Sequence, residues 1–371
     1  MAAIALKTGS SVRRKVRIRA LRYAITFTAP ALAVAGLLKG GLWTWAVPMH
    51  AFVLIPLLES IIPQRHLVLS EEEEAAALAD PVHDALLYLV VPVQWILLAL
   101  FLHSVQEPGL APWEFIGRVF TMGVLCGIHG INVAHELGHR SRRWERVMAR
   151  LLLLSSLYMH FIIEHNRGHH RRVATPEDPA SARYGETVFG FWCRSIAFSW
   201  ISAWRIEAER SRKKGARVLD LSNEMLLVLL CQAGLLAGIW MIFGTTALFA
   251  FMGAALIGIL LLETVNYIEH YGLRRKRNDQ GGYGRVQHYH SWNSDHLLGR
   301  VMLFELTRHS DHHWKASKKY QVLQSITDAP QLPTGYPGMM VLSLFPPLFF
   351  RVMHKRLGAL ADRYDGLEVA A

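Results

Sequence analysis

Six runs of apolar residues, near 21–38, 42–62, 83–103, 114–136, 224–243 and 247–269, limit what this chain can fold into more than any other feature. Each comes close to the ~20 residues with which a helix crosses ~30 Å of hydrocarbon. The runs are continuous instead of periodic, and 52% of all residues are hydrophobic, the composition of a polytopic membrane protein. The expected fold is all-α: a six-span transmembrane helix bundle with a histidine-rich metal-binding cap on the cytoplasmic side.

Orientation follows from the basic residues. Arg13, Arg14, Lys15, Arg17 and Arg19 precede the first run, so the amino terminus is read as cytoplasmic. The connections near 39–41, 104–113 and 244–246 then face outward, and Lys39 is their one basic residue among Lys and Arg. Arg140, Arg142, Arg143 and Arg274, Arg275, Lys276, Arg277 fall on inward segments, as the alternation requires. Most of the formal net charge of +11 is explained by this topology. No nucleic-acid motif accompanies the charge, so nucleic acid is excluded as a partner.

The same alternation divides the chain into a basic segment 1–20, a membrane domain 21–351 and a carboxy-terminal tail 352–371. The basic stretch before an apolar core ending LAVAG also has the form of a signal peptide, a reading that the span is preferred to. The 13-residue run 151–163 would make a helix of only ~20 Å, too short to cross, and is expected to be re-entrant or buried. Residues 336–350 are read as interfacial, and Glu71 to Glu74 with the alanines after them as the start of a solvated helix. Cys126, Cys193 and Cys231 lie far apart with no CxxC spacing, which leaves no disulfide framework and no iron–sulfur module.

The chemistry lies in the histidines. His135 and His139 stand in HELGHR, His165, His169 and His170 in EHNRGHH, and His309, His312 and His313 in RHSDHH. Residues four apart on a helix share a face, so His135 and His139 reach one ion, while the adjacent pairs let one helix end serve two ions. So many imidazoles without thiolates exceed the needs of one mononuclear centre, and iron, copper, zinc and nickel all suit them. The topology puts every cluster on one side of the membrane. His270, in NYIEHYG, reads on spacing alone as a helix-end histidine bonded to backbone carbonyls. HELGH also matches the zinc-protease pattern with Glu136 as general base, but one zinc needs three protein ligands and this chain offers many more. A histidine-rich transporter would carry its ligands near the bilayer midplane instead of at helix ends.

HELGHR, EHNRGHH followed by ATPEDPASARYGE, NYIEHYGL, and HSWNSDH with LTRHSDHH resemble the bacterial alkane 1-monooxygenases, integral-membrane relatives of the fatty acid desaturases. The resemblance implies a centre of two non-haem iron ions and promotes His270 to a ninth ligand. It implies that one atom of dioxygen enters the terminal C–H bond of an alkane drawn from the membrane, giving a primary alcohol, while the other leaves as water. It also implies a bacterial inner-membrane location, and electrons from a rubredoxin with its NADH-dependent reductase. This chain carries neither GxGxxG nor a cysteine cluster to supply them. Hydroxylation or desaturation of aromatic methyl groups or acyl chains is the alternative within the superfamily.

Around the ligands, Glu136, Glu164, Asp178, Glu263, Asn266, Glu269 and Asp311 are candidates to hold ring N–H groups or to face the site from within the bundle. Trp43, Trp45, Ala51, Phe52, Leu54, Ile55, Leu58 and Ile128 are candidates for an apolar substrate channel. His50 and His129 should face the bundle interior, since polar groups are costly in hydrocarbon. His288, His290 and His296 read as a cap over the metals or a donor-facing surface. Arg140, Arg142, Arg143, Arg171 and Arg172 are placed to steer an acidic electron donor.

Overall fold

The structure, a computed structural model, describes residues 9–64, 66–361, 363–364 and 367–369. Four long apolar helices come first: α1 (Ser10–Lys39), α2 (Gly41–Ile61), α3 (Pro81–Ser104) and α4 (Pro112–Gly138). Two amphipathic helices come next, α5 (Arg143–Leu154) and α6 (Val188–Lys213), and then the 47-residue Glu224–His270, the fifth helix long and apolar enough to cross a membrane. This last element is bent double. Gly244 breaks it with φ 78° and ψ −177°, a conformation essentially reserved to glycine. A straight helix of that length would hold its ends ~70 Å apart. Instead Glu224 pairs with Arg167 at 2.9 Å, and the His270 ring lies 5.0 Å from that of His169. The arms are α7 (224–243) and α8 (245–270).

The six apolar segments therefore occupy the six runs, with shifted ends. α1 starts at Ser10 because the basic stretch continues the helix instead of preceding it. The turns between segments gather at one end: Gly41 N–H bonds Glu114, Arg118 pairs with Glu107 at 2.7 Å, and Gly244 to Thr246 lie beside Val105 to Pro112. The histidines gather at the other. α4 and α8 form the central pair and touch backbone to backbone at Gly258, where a Cβ would stand 2.6 Å from Cys126 Cβ. Buried apolar side chains fill the bundle around them, Leu98, Phe101, Met122, Ile131 and Phe251 among them.

The run 151–163 is not one helix. α5 descends from Arg143 and stops at Leu154; Ser155 Oγ then accepts from Gln94 at 3.3 Å and Ser156 Oγ donates to Cys126 O at 3.2 Å, both about halfway along α3 and α4. Leu157 turns the chain with φ 51°, and Phe161–Glu164 climbs back toward the histidines. It is a re-entrant hairpin whose break the continuous apolar run concealed. Residues 336–350 likewise divide, into Tyr336–Ser343 and the start of Pro346–Ala361. The latter runs through the expected tail, and Leu367–Val369 pairs antiparallel with Leu273–Arg275, so the tail packs onto the domain. Residues 1–8 of the expected basic segment and 362, 365–366 and 370–371 of the tail lie outside the described residues. The acidic helix Glu71–Ala79 begins with a capping box on Ser70; Glu71 and Glu72 are exposed as expected of a solvated start, but Glu73 is buried against Lys15 and Arg19.

Replacing Gly244 isolates the backbone cost of the hairpin, because nothing lies within 4 Å of the Cβ position. Gly244→Ala should lose about 1–3 kcal/mol of stability, read as a lowered melting temperature in detergent with the metal content of the folded fraction unchanged.

Candidate metal centre

Three helix ends and a short loop helix deliver the ring nitrogens. His135 and His139 are one turn apart at the end of α4; His270 closes α8; His309–Trp314 is a helix of its own. The EHNRGHH box departs from α geometry. His165–His169 is a π turn, in which residues five apart instead of four come onto one face. His165 and His170 therefore point together and His169 points elsewhere. The outcome is two groups: His135, His139, His165, His170 and His312, and beside them His169, His270, His309 and His313. Within each group the ligating atoms lie within 4.8 Å of one another. The groups adjoin, with the His170 and His313 rings 4.5 Å apart.

The spacing is that of a coordination sphere. His170 Nε2 stands 3.0 Å from His165 Nε2 and 3.2 Å from both His139 Nε2 and His312 Nε2. One imidazole nitrogen carries one proton or one lone pair, so three such neighbours cannot all be hydrogen-bond partners. Two nitrogens at right angles around an ion, each ~2.1 Å from it, are ~3.0 Å apart. In the second group His309 Nε2 is 3.1 Å from His270 Nε2 and 2.9 Å from His313 Nε2, and His313 Nε2 is 3.2 Å from His169 Nε2. The residues fit metal ions in both places.

Burial sets the protonation that ligation needs. It pushes His139 down to about 4, and with the neighbouring imidazoles it holds His165, His170, His309, His312 and His313 well below the usual histidine range. These rings are neutral, the form that binds a cation. His169 differs: burial pushes it down, but the carboxylates around it, Asp178 foremost and Glu164 and Glu263 with it, together raise it. Asp178 Oδ2 lies 2.9 Å from His169 Nδ1 and accepts from Ser181 Oγ at 2.5 Å, which fixes the ring with Nε2 facing the ion.

The other acidic candidates are placed differently. Glu136 accepts from Arg140 Nε at 2.9 Å and from the Tyr320 N–H, so it is engaged away from the ring nitrogens and not in a general base's position. Glu164 takes Arg172 at 2.6 Å, and Asp311 takes Lys318 at 2.8 Å. Glu269 was expected at a ring N–H, yet its Oε2 lies 3.2 Å from His309 Nε2, on the ligating side, while Tyr336 donates to its Oε1 at 2.8 Å. Glu263 is buried in α8 with Tyr158, Ser195 and Asn266 as donors. His129 is buried beside Thr26 at 3.1 Å, and half-buried His50 lies 3.4 Å from Thr28. His290 and His296 are buried outside both groups, and His288 packs on Trp314.

Comparison with known proteins decides the family. The fatty acid desaturase family matches residues 111–343. Alkane 1-monooxygenase 2 of Pseudomonas aeruginosa is 40% identical over 329 residues, 85% of this chain and 85% of that one. Alkane 1-monooxygenase 2 of Alcanivorax borkumensis is 36% identical over 340 residues, covering 91% and 88%. The chain belongs to the alkane 1-monooxygenase family. The hydroxylase component of the xylene/toluene monooxygenase of Pseudomonas putida is more distant, 28% identical over 342 residues, 90% of this chain and 88% of its own.

Among the described residues an apolar cavity lies close to both histidine groups. Ala51, Phe52, Ile55 and Ile128 line it, with Asn132 one turn before His135, Leu306 three residues before His309 in the loop that leads to it, and Val265 in the last turns of α8. Trp43, Leu54 and Leu58 are instead exposed on the bundle's outer surface, and Trp45 packs on Phe120. Of the arginines, Arg142, Arg143 and Arg171 are exposed, but Arg140 is buried among Glu136, Asp84 and Glu145, and Arg172 is held by Glu164. Sequence reasoning missed Tyr336 and Arg275. The latter, hidden within the run Arg274 to Arg277, is buried and donates to the carbonyls of Val173, Arg171 and Gly284, clasping the loop that follows the second box.

Asp178→Asn keeps the side chain's size but weakens its hold on His169. It should lower metal affinity in the four-histidine group about 10–100-fold, seen as faster metal loss to a chelator followed by elemental analysis.

Proposed function

We propose that this chain hydroxylates the terminal methyl group of alkanes to primary alcohols at a centre of two irons held by the nine histidines. The supporting observation is the juxtaposition of two convergent imidazole groups with an apolar cavity that reaches to one turn below them. Iron, when bound, supplies the activation of dioxygen. The protein's residues supply the rest. Neutral imidazoles bind the ions, Asp178 orients His169, and Glu269 presents an oxygen beside His309 under the hold of Tyr336. Phe52, Ile55 and Ile128 orient a chain by shape alone, so that its end faces the metals.

In this reading the six apolar segments are six spans of a bacterial inner membrane, with the metals cytoplasmic as the basic residues require. Electrons come from a rubredoxin, itself reduced at the expense of NADH. Its approach is over exposed Arg171 and the half-exposed Trp314, which adjoins His313 in sequence and has Arg285 and Lys318 over its ring at 5.6 and 5.8 Å.

Membranes containing the protein, supplied with rubredoxin, its reductase and NADH, should convert a graded series of alkanes to 1-alcohols. Activity on toluene in place of every alkane would favour the aromatic alternative. His270→Ala should purify like the parent, lose a substantial share of its iron and make no alcohol; full iron and full rate would remove His270 from the ligand set. Reporters fused after Arg277 and near Pro108 should lie on opposite sides of the membrane, cytoplasmic and periplasmic; the same side for both would overturn the six-span reading.

A further inference from the structure

α5 carries arginines that neither the metals nor the ion-pair networks account for. Arg143, Arg146 and Arg150 recur at three and four residues and so share a helix face. Together with Arg167 and Asn166 they wall a pocket whose floor includes Gly138 and Ile162. Arg150 pairs with Glu224 at 2.9 Å and Arg167 with Glu207 and Glu224. Arg143 and Arg146 are exposed, with no ion-pair partner among the described residues. The pocket is therefore a concave site with cationic charge in excess.

The same helix is apolar outward. Trp144, Val147 and Leu151 are 43%, 51% and 40% exposed, at the three- and four-residue spacing of a second stripe beside the arginines. Depth follows from Arg150. Its partner Glu224 is the first residue of α7, where that arm leaves the apolar layer, so Arg146 and Arg143 stand about 6 and 10 Å farther toward the metal end at 1.5 Å per residue. Arg143 and Arg146 thus stand at the level of lipid headgroups with Trp144 between them, as interfacial tryptophans do, and Val147 and Leu151 lie on the acyl-chain side of them.

We propose that this pocket binds the phosphate of an anionic phospholipid from the leaflet on the metal side, with Arg143 and Arg146 as its principal contacts, Trp144 at the headgroup level beside them and the acyl chains running down past Val147 and Leu151. A soluble acidic protein would match the charge but not the lipid-facing stripe that is continuous with it. The proposal rests on the membrane reading of α5 and not on the substrate, so it stands or falls separately from alkane hydroxylation.

Full-length protein in neutral detergent is titrated with phosphatidylglycerol and with phosphatidylcholine, and bound lipid is counted by native mass spectrometry. The parent should prefer phosphatidylglycerol, and Arg143→Gln/Arg146→Gln should weaken its retention about thirtyfold, the factor expected for two arginines at a charged lipid surface. Phosphatidylcholine binding and iron content should not change. Arg274→Gln/Lys276→Gln removes equal charge from another loop and should behave as the parent. No lipid preference in the parent, an equal loss in this control, or equal displacement by inorganic phosphate would overturn the proposal. So would undiminished lipid retention in the double variant with slower reduction by a rubredoxin, which would make the two arginines a donor surface.

Discussion

Nine imidazoles in two groups, with nitrogens facing one another at about 3 Å, are the constraint on which the remainder of the structure depends. Lone pairs so arranged repel, and without a cation between them only the surrounding backbone holds them there. The fold meets this demand by bringing rigid helix ends together. α4 and α8 pack closely at Gly258 and so present His135, His139 and His270 from one layer of the bundle. The re-entrant hairpin returns the second box to that layer, and the Arg275 clasp fastens the loop beyond it. A ligand on a loose loop would drift from its neighbours; here nearly every ligand is backed by a span or by buried contacts.

Charge is divided unequally between the two groups. Glu136 faces Arg140, which Asp84 and Glu145 share, and Glu164 faces Arg172. Asp178 and Glu269 form no ion pair with an arginine among the described residues, and both act on the four-histidine group, through His169 and beside His309. No carboxylate among the described residues stands comparably close to the five-histidine group's ring nitrogens. A buried carboxylate without a basic partner is costly unless a cation or a proton compensates it. Two ions of equal charge would thus sit in unequal fields, the one with four histidines being closer to neutralised.

Much of this could be read from the residues. Apolar run length located the six segments, and histidine spacing located three of the four ligand sources before any geometry was known. His270 needed the resemblance, since one histidine at a helix end has a structural explanation of its own. The assignment of ligands to groups was not legible, because spacing arguments assume 3.6 residues per turn and the second box is a π turn. The hairpin break at 155–160 was hidden by continuous hydrophobicity, and Arg275 by the arginines around it, whose topological role explains a run but not one member's burial. Among the channel candidates, sequence could not separate Ile55 from Leu58: both are apolar on α2, and only the packing of α2 shows that one faces the cavity and the other the outer surface.

The π turns link the site to the cavity. Three occur among the described residues, at His50–Leu54, Cys126–Ile131 and His165–His169, and each borders the cavity or the ligands. A π turn inserts one residue and rotates the next stretch of helix relative to an unbroken α helix. In the second box this rotation lets one short segment serve two ions. In α2 and α4 it falls at Ala51 and Phe52 and at Gly127 and Ile128, the residues that open onto the apolar space. The α4 turn also carries Cys126 and Gly127, which Gly258 of α8 touches, so close packing and the cavity wall share one turn. Regular helices at these places would turn different side chains inward. The same local irregularity therefore both divides the histidines and preserves an apolar space beneath them, which a hydroxylase of unfunctionalised chains requires, since its substrate offers shape alone for recognition.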